Sequence, residues 1–468
     1  MSVVPDENAP RADRLPTATI DRLMVLMTSL PPLPNTLPDP ALDAELAEVV
    51  NDPQSPLASL SAAVVRDGTV VYHNQFGSRY IHPGDRRNDL PANADTLYRI
   101  ASISKLLTAI GAMKLVETGK LDLDADFSDA LGFALRNPAH PQMPITLRML
   151  LSHTSGLRDA AGYYWDAESR IVLKDVLLPG GKAYGSGKMW EPAYAPGEFF
   201  QYANLPWGVI GTGMERVTGR RFDHLMSDLL LRPLGLRGGF HPADFSRQDI
   251  TNVATLYRKR PAGDNDQKWN PSGPWIVQTD DYISAPPKPR VHADYVPGTN
   301  ATLIGPQGAC RLSVSGLATV ARLFLGDGEV DGVRVLLPST VRMMMSPVWT
   351  ASGTNGNTGG EFATDPTRFM NCWGLGMQIF TDLSIPPTAD KPARGDKLVQ
   401  HAPYAAAGHC GDAFGLTSLL AIEPRSRSAI IYLVGGLGFD PATTPGTYSA
   451  QSRYEERIAT ALHRQIKA

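Results

Sequence analysis

Ser102 and Lys105, placed three residues apart, are the first pair in this sequence that could do chemistry together. Behind them apolar residues recur at helical spacing from Leu106 to Val116, and Gly119 supplies a C-terminal stop. We therefore expect Ser102 at the N-terminus of a helix, with the Lys105 amine on the same face and within reach of its hydroxyl. If burial lowers the pKa of the lysine, the pair forms a nucleophile with its base.

A Ser-x-x-Lys step is weak by itself, because composition alone supplies about one in a chain of this size. Two further strings carry polar groups at useful positions. Tyr202 and Asn204 lie in a Tyr-Ala-Asn string before a helical run, and His409, Gly411 and Asp412 lie in a His-Cys-Gly-Asp string before a strand. Taken singly, such residues are more often a buried aromatic, a helix cap and a packed histidine.

In this order, the three strings resemble those of the serine β-lactamases and penicillin-recognising D,D-peptidases, in the class C branch that also holds carboxylesterases and D-amino-acid amidases. Ser-x-x-Lys is the first element of that group, Tyr-x-Asn the second, and His-x-Gly one form of the third. The segment 145–157 is the most specific further similarity, and 305–309 and 373–376 also resemble the family. The similarity runs from about Leu57 to the C-terminus.

The resemblance implies a role for each residue. Ser102 would attack a carbonyl and form an acyl-enzyme, and Lys105 and Tyr202 would share the base work, with the proton acceptor left open between them. Asn204 would bind the acyl-side amide of the substrate or the Lys105 amine.

The third element, the string at 409–412, would lie beside the bound substrate. The backbone N–H groups of Asp412 and Ser102 would form the oxyanion hole, with Gly411 beside it. His409 would contact Tyr202 or the substrate, and His153 would fix a turn. Of the tryptophans, four are candidates either to line the cleft or to pack in the core: Trp190, Trp207, Trp275 and Trp373.

Two departures from the family pattern bear on the substrate. His409 stands where many members carry a lysine, and an ordinary histidine is mostly neutral near pH 7. This weakens any requirement for a substrate carboxylate at that point. Asp412 stands where a small neutral residue is usual, so we expect its backbone rather than its side chain to serve the oxyanion hole.

The sequence therefore predicts a serine hydrolase, a carboxylesterase or an amidase/peptidase, that cleaves small to medium esters or amides. A class C-type β-lactamase or D-alanyl-D-alanine carboxypeptidase is the alternative, and a non-catalytic penicillin-binding-like protein a remote one. An α/β-hydrolase is disfavoured because the sequence lacks a Gly-x-Ser-x-Gly elbow.

Composition argues against several classes of partner and cofactor. The net charge of −3 and the absence of a basic run argue against a nucleic-acid partner. Three dispersed cysteines without a C-x-x-C pair indicate neither a disulfide framework nor a zinc site, and we expect no metal or other cofactor. No apolar run is long enough for a membrane span and no signal peptide is visible, which favours a cytoplasmic location.

The order of the elements predicts the architecture. Strand hairpins occur near both ends, at 59–74 and 416–434, and helical patterns dominate between them. This favours an α/β (α+β) fold of the β-lactamase/transpeptidase type, in which an antiparallel sheet built from both termini is flanked by helices. The predicted domains are a Pro-rich leader at 1–35, a sheet-containing domain at 36–118 plus 308–468, and an inserted, mostly helical domain at 119–307 with an irregular excursion at 240–300.

Overall fold

A nine-stranded sheet forms the centre of the protein. We describe residues 39–261, 268–359 and 367–467 of a computed structural model. The Pro-rich leader predicted at 1–35 lies outside these residues. The sheet order is β10-β11-β12-β13-β14-β15-β1-β2-β3, with antiparallel pairing between neighbours, so that strands from the two ends of the chain meet where β15 pairs with β1. The sheet built from both termini is thus confirmed, whereas the domain boundaries stay a prediction.

The strands of the described residues are β1 (Ser59–Arg66), β2 (Thr69–Tyr80), β3 (Leu90–Pro91), β4 (Tyr98–Arg99), β5 (Leu256–Lys259), β6 (Trp275–Thr279), β7 (Arg311–Leu312), β8 (Glu329–Val330), β9 (Val333–Arg334), β10 (Trp349–Thr350), β11 (Cys372–Trp373), β12 (Gln378–Ile379), β13 (Ala407–Ala413), β14 (Leu416–Glu423), β15 (Ser428–Val434) and β16 (Gly436–Leu437). The α-helices are α1 (Pro40–Val50), α2 (Ile103–Glu117), α3 (Ser128–Leu131), α4 (Leu147–Leu151), α5 (Leu173–Leu177), α6 (Leu205–Thr218), α7 (Phe222–Met226), α8 (Arg247–Ile250), α9 (Val314–Leu325), α10 (Pro338–Met344) and α11 (Arg453–Lys467).

Local sequence accounts for several of these boundaries. The β1–β2 hairpin turns at Asp67 and Gly68, whose φ values of 50° and 75° fit the type I′ turn that this dipeptide favours. Helix α1 starts with Pro40 and is capped by Asp39, whose carboxylate accepts from the N–H groups of Ala41 and Leu42.

Helices cover both faces of the sheet. Side chains of β1 alternate between the two faces: Leu60, Ala62 and Val64 join the core under α1 and α11, whereas Ala63 and Val65 join the core on the opposite side. Helices α2 and α9 contact the sheet on that opposite side. Helix α2 is buried along most of its length, which gives its N-terminus a rigid support next to β13.

Three predictions of local structure were wrong in part. The 240–300 excursion is not wholly irregular, since β5 and β6 pair there and β5 also pairs with β16. The alternation of apolar residues at 373–380 predicts one strand, but Gly374 and Gly376 lie in a tight turn between β11 and β12. The apolar spacing at 222–230 predicts one α-helix, but the α-helix ends at Met226 and a π-helical turn, Ser227–Leu231, follows it.

Candidate active site

Ser102 lies at a strained turn directly before α2. The preceding residue, Ala101, has φ of 46°, in the left-handed region that costs a non-glycine residue of order 1 kcal/mol. Ser102 itself has φ of −67° and precedes the first helical residue, Ile103. Its side chain borders two cavities, one on each side of it. The turn therefore presents the hydroxyl at the middle of a cleft, next to the N-terminus of a helix.

Lys105 is buried and holds the centre of the site together. Its Nζ lies 2.9 Å from Ser102 Oγ, 2.7 Å from Asn204 Oδ1 and 3.0 Å from the Gln307 carbonyl oxygen, all within hydrogen-bond distance. These three acceptors are neutral oxygens. The same Nζ lies 4.9 Å from the centre of the Tyr202 ring. The structure thus brings together the serine, lysine, tyrosine and asparagine that the sequence singled out.

Tyr202 is fixed by aromatic neighbours. Its ring stacks on His153 with centroids 4.5 Å apart and meets the edge of Trp373 at 5.7 Å. The Gln201 N–H donates to the His153 carbonyl at 2.9 Å, and the Ala203 N–H donates to His153 Nδ1 at 3.2 Å. His153 therefore clamps the backbone on both sides of Tyr202, which agrees with the turn-fixing role expected for it. Burial, together with the charge of Lys105, lowers the pKa of His153 well below its usual value, so the ring is uncharged.

Asp159 is a site residue that the sequence reasoning missed. Its carboxylate accepts from the Asn204 backbone N–H at 2.7 Å, from Asn204 Nδ2 at 2.9 Å and from the Leu205 N–H at 2.8 Å. Because the amide nitrogen of Asn204 is held this way, its oxygen must face Lys105. The carboxylate also caps the N-terminus of α6. The sequence feature that could have identified Asp159 is its position, two residues after the family-like segment 145–157.

We expect Asp159→Asn to lower kcat for a p-nitrophenyl ester roughly 10- to 100-fold, because charged hydrogen bonds of this kind are worth about 1.5–3 kcal/mol. KM should change less, since Asp159 acts through Asn204 and is a positioning residue. Steady-state kinetics separate the two parameters. Asp129→Asn, at an exposed position of α3, is the matched control and should retain full kcat. An unchanged kcat in Asp159→Asn would contradict the positioning role.

His409 is a buried, neutral histidine on β13. Burial, with the nearby charge of Lys105, lowers its pKa to about 3. Nδ1 lies 2.5 Å from the Cys410 carbonyl, so Nδ1 carries the hydrogen and donates, and Nε2 is left as an acceptor. The ring lies 6.2 Å from that of Tyr202 and 5.4 Å from that of Trp373. The third element therefore presents a neutral group to the cleft.

Gly411 lies where β13 touches the turn that carries the nucleophile. A Cβ at this position would lie 2.6 Å from the Ile100 carbonyl oxygen and 3.1 Å from the Ala101 side chain. It would also meet Ser418 Oγ at 2.4 Å. Only glycine allows the strand to approach Ser102 this closely.

Gly411→Ala should therefore displace the turn that carries Ser102 and lower kcat/KM by about 100-fold, the cost of a misplacement of about 1 Å at a reacting centre. The fold should lose about 1–3 kcal/mol from overpacking. Ester kinetics and thermal unfolding measure both effects. Gly84→Ala is the control, since the atoms nearest to its added Cβ are 3.8 Å away. Equal kinetics in the two variants would show that the close approach does not matter.

Asp412 follows Gly411 on the same strand and borders the cavities on both sides of Ser102. Its side chain is exposed. The structure brings Asp412, Gly411 and Ser102 to one cleft. The assignment of the Ser102 and Asp412 N–H groups to an oxyanion hole stays a prediction.

The tryptophans divide between the site and the core. Trp373 is fully buried behind Tyr202 and His409, and Trp207 is fully buried with its ring 5.9 Å from that of His153. Trp275 borders a separate groove beside β6, and Trp190 is a core residue. Trp207 and Trp373 therefore support the site from behind, and the two cavities next to Ser102 are bordered by none of these four tryptophans.

One group of side chains in the described ranges has the spacing of metal ligands: Asp223, His224 and Asp244. Arg221 already donates to both carboxylates, at 2.7 and 2.5 Å, so the cluster is held by an ion pair. Across 39–261, 268–359 and 367–467, no helix is both long and apolar enough to cross a membrane.

Comparison with known proteins shows the family. The model of the Beta-lactamase family matches residues 43–451. Esterase EstB of Burkholderia gladioli is 32% identical over 201 residues, which are 41% of this chain and 49% of EstB, so the match spans about half of that relative. Penicillin-binding protein 4 of Amycolatopsis lactamdurans is 26% identical over 346 residues, 72% of this chain and 74% of that protein.

Solved structures share the fold. EstCE1, described as a hydrolase with promiscuous acyltransferase activity, superimposes with a TM-score of 0.58 at 22% identity and covers 90% of this chain and 98% of its own. The D-amino acid amidase of Ochrobactrum anthropi SV3 superimposes with a TM-score of 0.58 at 18% identity and covers 91% of this chain and 99% of its own. On the family match and the shared fold, the chain belongs to the Beta-lactamase family of serine hydrolases.

Proposed function

We propose that this protein hydrolyses an ester or amide bond of a small to medium-sized substrate through an acyl-enzyme on Ser102. The observation that carries the proposal is the hydrogen bond of 2.9 Å between Lys105 Nζ and Ser102 Oγ, in a lysine side chain that is itself buried. A serine beside a buried amine matches the nucleophile-and-base pair that acyl transfer requires.

The arrangement supports the following sequence of steps. Ser102 Oγ attacks the substrate carbonyl, and its proton passes to the amine of Lys105 or to the phenolate of Tyr202. The carbonyl oxygen becomes an oxyanion, stabilised by the N–H groups of Ser102 and Asp412. The same base returns the proton to the leaving group as the tetrahedral intermediate collapses. Water then attacks the acyl carbon and gives one proton to the base. The base returns this proton to Ser102 Oγ as the bond between Oγ and the acyl carbon breaks, which releases the carboxylic acid and restores the free serine.

Asn204 and His409 would frame the substrate on opposite sides. Asn204 borders the cavity of about 1,110 Å³ together with Asp159 and Gln307, whereas Tyr202 and His409 border the cavity of about 490 Å³ on the other side of Ser102. A base on the Tyr202 side protonates a leaving group that departs there. The acyl part would then occupy the cavity beside Asn204.

We favour an esterase or an amidase/peptidase over a β-lactamase. The neutral His409 offers no fixed cation in the third element, where a β-lactam carboxylate would need one. EstB and the structural neighbour from Ochrobactrum anthropi are named as an esterase and an amidase, which is consistent with this preference.

A comparison of kcat/KM for nitrocefin, p-nitrophenyl butyrate and D-alanyl-D-alanine peptides tests this preference. We expect the ester or the peptide to be turned over and nitrocefin to be cleaved at a much lower rate. Fast nitrocefin turnover with inert esters and peptides would reverse the preference in favour of a β-lactamase.

A further inference from the structure

The cavity beside Asn204 is rich in arginine. Arg99, Arg258, Arg260 and Arg290 border it, together with Ser102 itself. The guanidinium of Arg99 lies 4.9 Å from the centre of the Phe414 ring, and its Nε donates to the Gly308 carbonyl at 3.2 Å. A planar guanidinium fixed in this way is well suited to bind a carboxylate through two parallel hydrogen bonds.

Three arginines of this region, Arg99, Arg290 and Arg311, face the same buried carboxylate, that of Asp280. Arg311 is fully buried behind the cavity and forms a two-point ion pair with Asp280, at 2.6 and 3.0 Å. Burial alone would raise the pKa of Asp280, but the charges of Arg311 and Arg99 lower it to about 2. The Asp280 carboxylate is therefore already ion-paired with Arg311.

Arg99 and Arg290 are held as cations at an energetic cost. Burial and the charge of Arg311 lower the pKa of both residues, to about 9 for Arg99, so both remain charged near neutral pH. Within the described parts of the chain, the Arg290 guanidinium donates to no carbonyl or side chain and forms no ion pair. An incoming anion would relieve the repulsion among the three arginines.

Two carboxylates border the same cavity and offset part of this charge. Asp159 accepts from Asn204 and Leu205, and Asp412, exposed where the two cavities meet, attracts the Arg258 guanidinium. The acid that acts on Arg99 and Arg290 is instead Asp280. The cavity beside Tyr202 also holds Glu455, whose pKa is raised to about 7 by burial and further by the charge of Asp412. The two sides of Ser102 thus differ in charge: four arginines border the cavity beside Asn204, whereas the described residues that border the cavity beside Tyr202 include Glu455 and no arginine.

We propose that the arginine-lined cavity binds a carboxylate carried by the acyl part of the substrate. The inference rests on the proposed function, since it assigns the charge of the acyl group that Ser102 receives. It also predicts that the leaving group carries no negative charge, because Asp412 and Glu455 border the side on which it departs. The preferred substrates are then mono-esters or mono-amides of dicarboxylic acids.

Two esters with the same leaving group test this inference: mono-(4-nitrophenyl) adipate, which is anionic, and 4-nitrophenyl methyl adipate, which is neutral. After correction for spontaneous hydrolysis, we expect kcat/KM of the full-length protein to favour the anionic ester at least about tenfold. The preference should fall as the salt concentration rises, because salt screens the attraction. Equal kcat/KM values, or a preference for the neutral ester, would overturn the inference while leaving the proposed hydrolase function intact.

Single substitutions test whether Arg99 and Arg290 cause the preference for the anionic ester. Arg290→Gln and Arg99→Gln should each reduce the anionic preference about tenfold and leave kcat/KM for the neutral ester within about threefold. Arg427→Gln removes the same charge from an exposed arginine in the turn between β14 and β15 and should change neither value. An equal loss for both esters in Arg290→Gln and Arg99→Gln would indicate a structural role and overturn the inference.

Failure of the proposed function is distinguishable from failure of this inference. If neither ester is hydrolysed and a fluorophosphonate leaves Ser102 unmodified in the folded protein, the proposed function fails and the inference fails with it. If the neutral ester is hydrolysed without an anionic preference, only the inference fails.

Discussion

Ser102→Ala should lower kcat for p-nitrophenyl butyrate by at least about 10⁴-fold, because it removes the atom that accepts the acyl group. The fold should persist, since the hydroxyl takes part in one side-chain hydrogen bond, from Lys105, among the described residues. Stopped-flow or steady-state absorbance at the nitrophenolate wavelength measures the loss. Circular dichroism and thermal unfolding establish that the variant is folded.

Ser104→Ala is the matched control for the nucleophile. Ser104 lies two residues further along the chain, in the first turn of α2, and is buried, and its hydroxyl accepts from the Cys310 N–H at 3.1 Å. Its loss should cost about 1 kcal/mol of stability from an unmade hydrogen bond while the folded variant retains ester hydrolysis. Full activity in Ser102→Ala, or inactivation confined to Ser104→Ala, would contradict the assignment of Ser102.

Lys105→Met should lower kcat by about 10³-fold, within the range that general base catalysis contributes. Methionine keeps much of the side-chain volume but removes the amine that donates to Ser102, Asn204 and Gln307. Single-turnover ester cleavage should show that the loss lies in formation of the acyl-enzyme. Lys114→Met, near the other end of α2, is the control and should retain activity, since Lys114 pairs with Glu117 away from the cleft.

Lys105→Arg separates proton transfer from charge. A guanidinium keeps the positive charge but does not lose its proton near neutral pH. If Lys105 acts as a base, Lys105→Arg should remain as inactive as Lys105→Met. Recovery of most of the activity in Lys105→Arg would mean that the cation alone is required and that Tyr202 is the base.

The parts of the fold that were predictable are those specified by local sequence. Helix α1 has a Pro start and an acidic cap, and the turns of the two hairpins lie between β-rich runs, so their bounds follow from a few neighbouring residues. The pairing of strands from the two ends of the chain was predictable because the sequence places strands near both ends and helices between them. The family resemblance then implied the order of the three site strings.

What was missed depends on long-range contacts. Asp159 gains its importance from Asn204 and Leu205, which lie 45 and 46 residues further along the chain. Strand β5 has only four residues, two of them basic, and it pairs with β16, which follows it by more than 170 residues. Strand β6 contains an apolar β-rich start, Trp275–Val277, but it lies within a long polar stretch, and its pairing with β5 is visible only in the fold. The arginine-lined cavity is assembled from Arg99, Arg258, Arg260 and Arg290, which no sequence pattern unites.

Acylation of Ser102 is open to direct observation by mass spectrometry. Protein that hydrolyses p-nitrophenyl butyrate is treated with a fluorophosphonate until activity is lost, and its peptides are analysed. We expect one phosphonyl group per chain, on the peptide that contains Ser102, no label in Ser102→Ala, and slow labelling in Lys105→Met. Loss of activity with the label on another residue, or with Ser102 unmodified, would contradict acylation at Ser102.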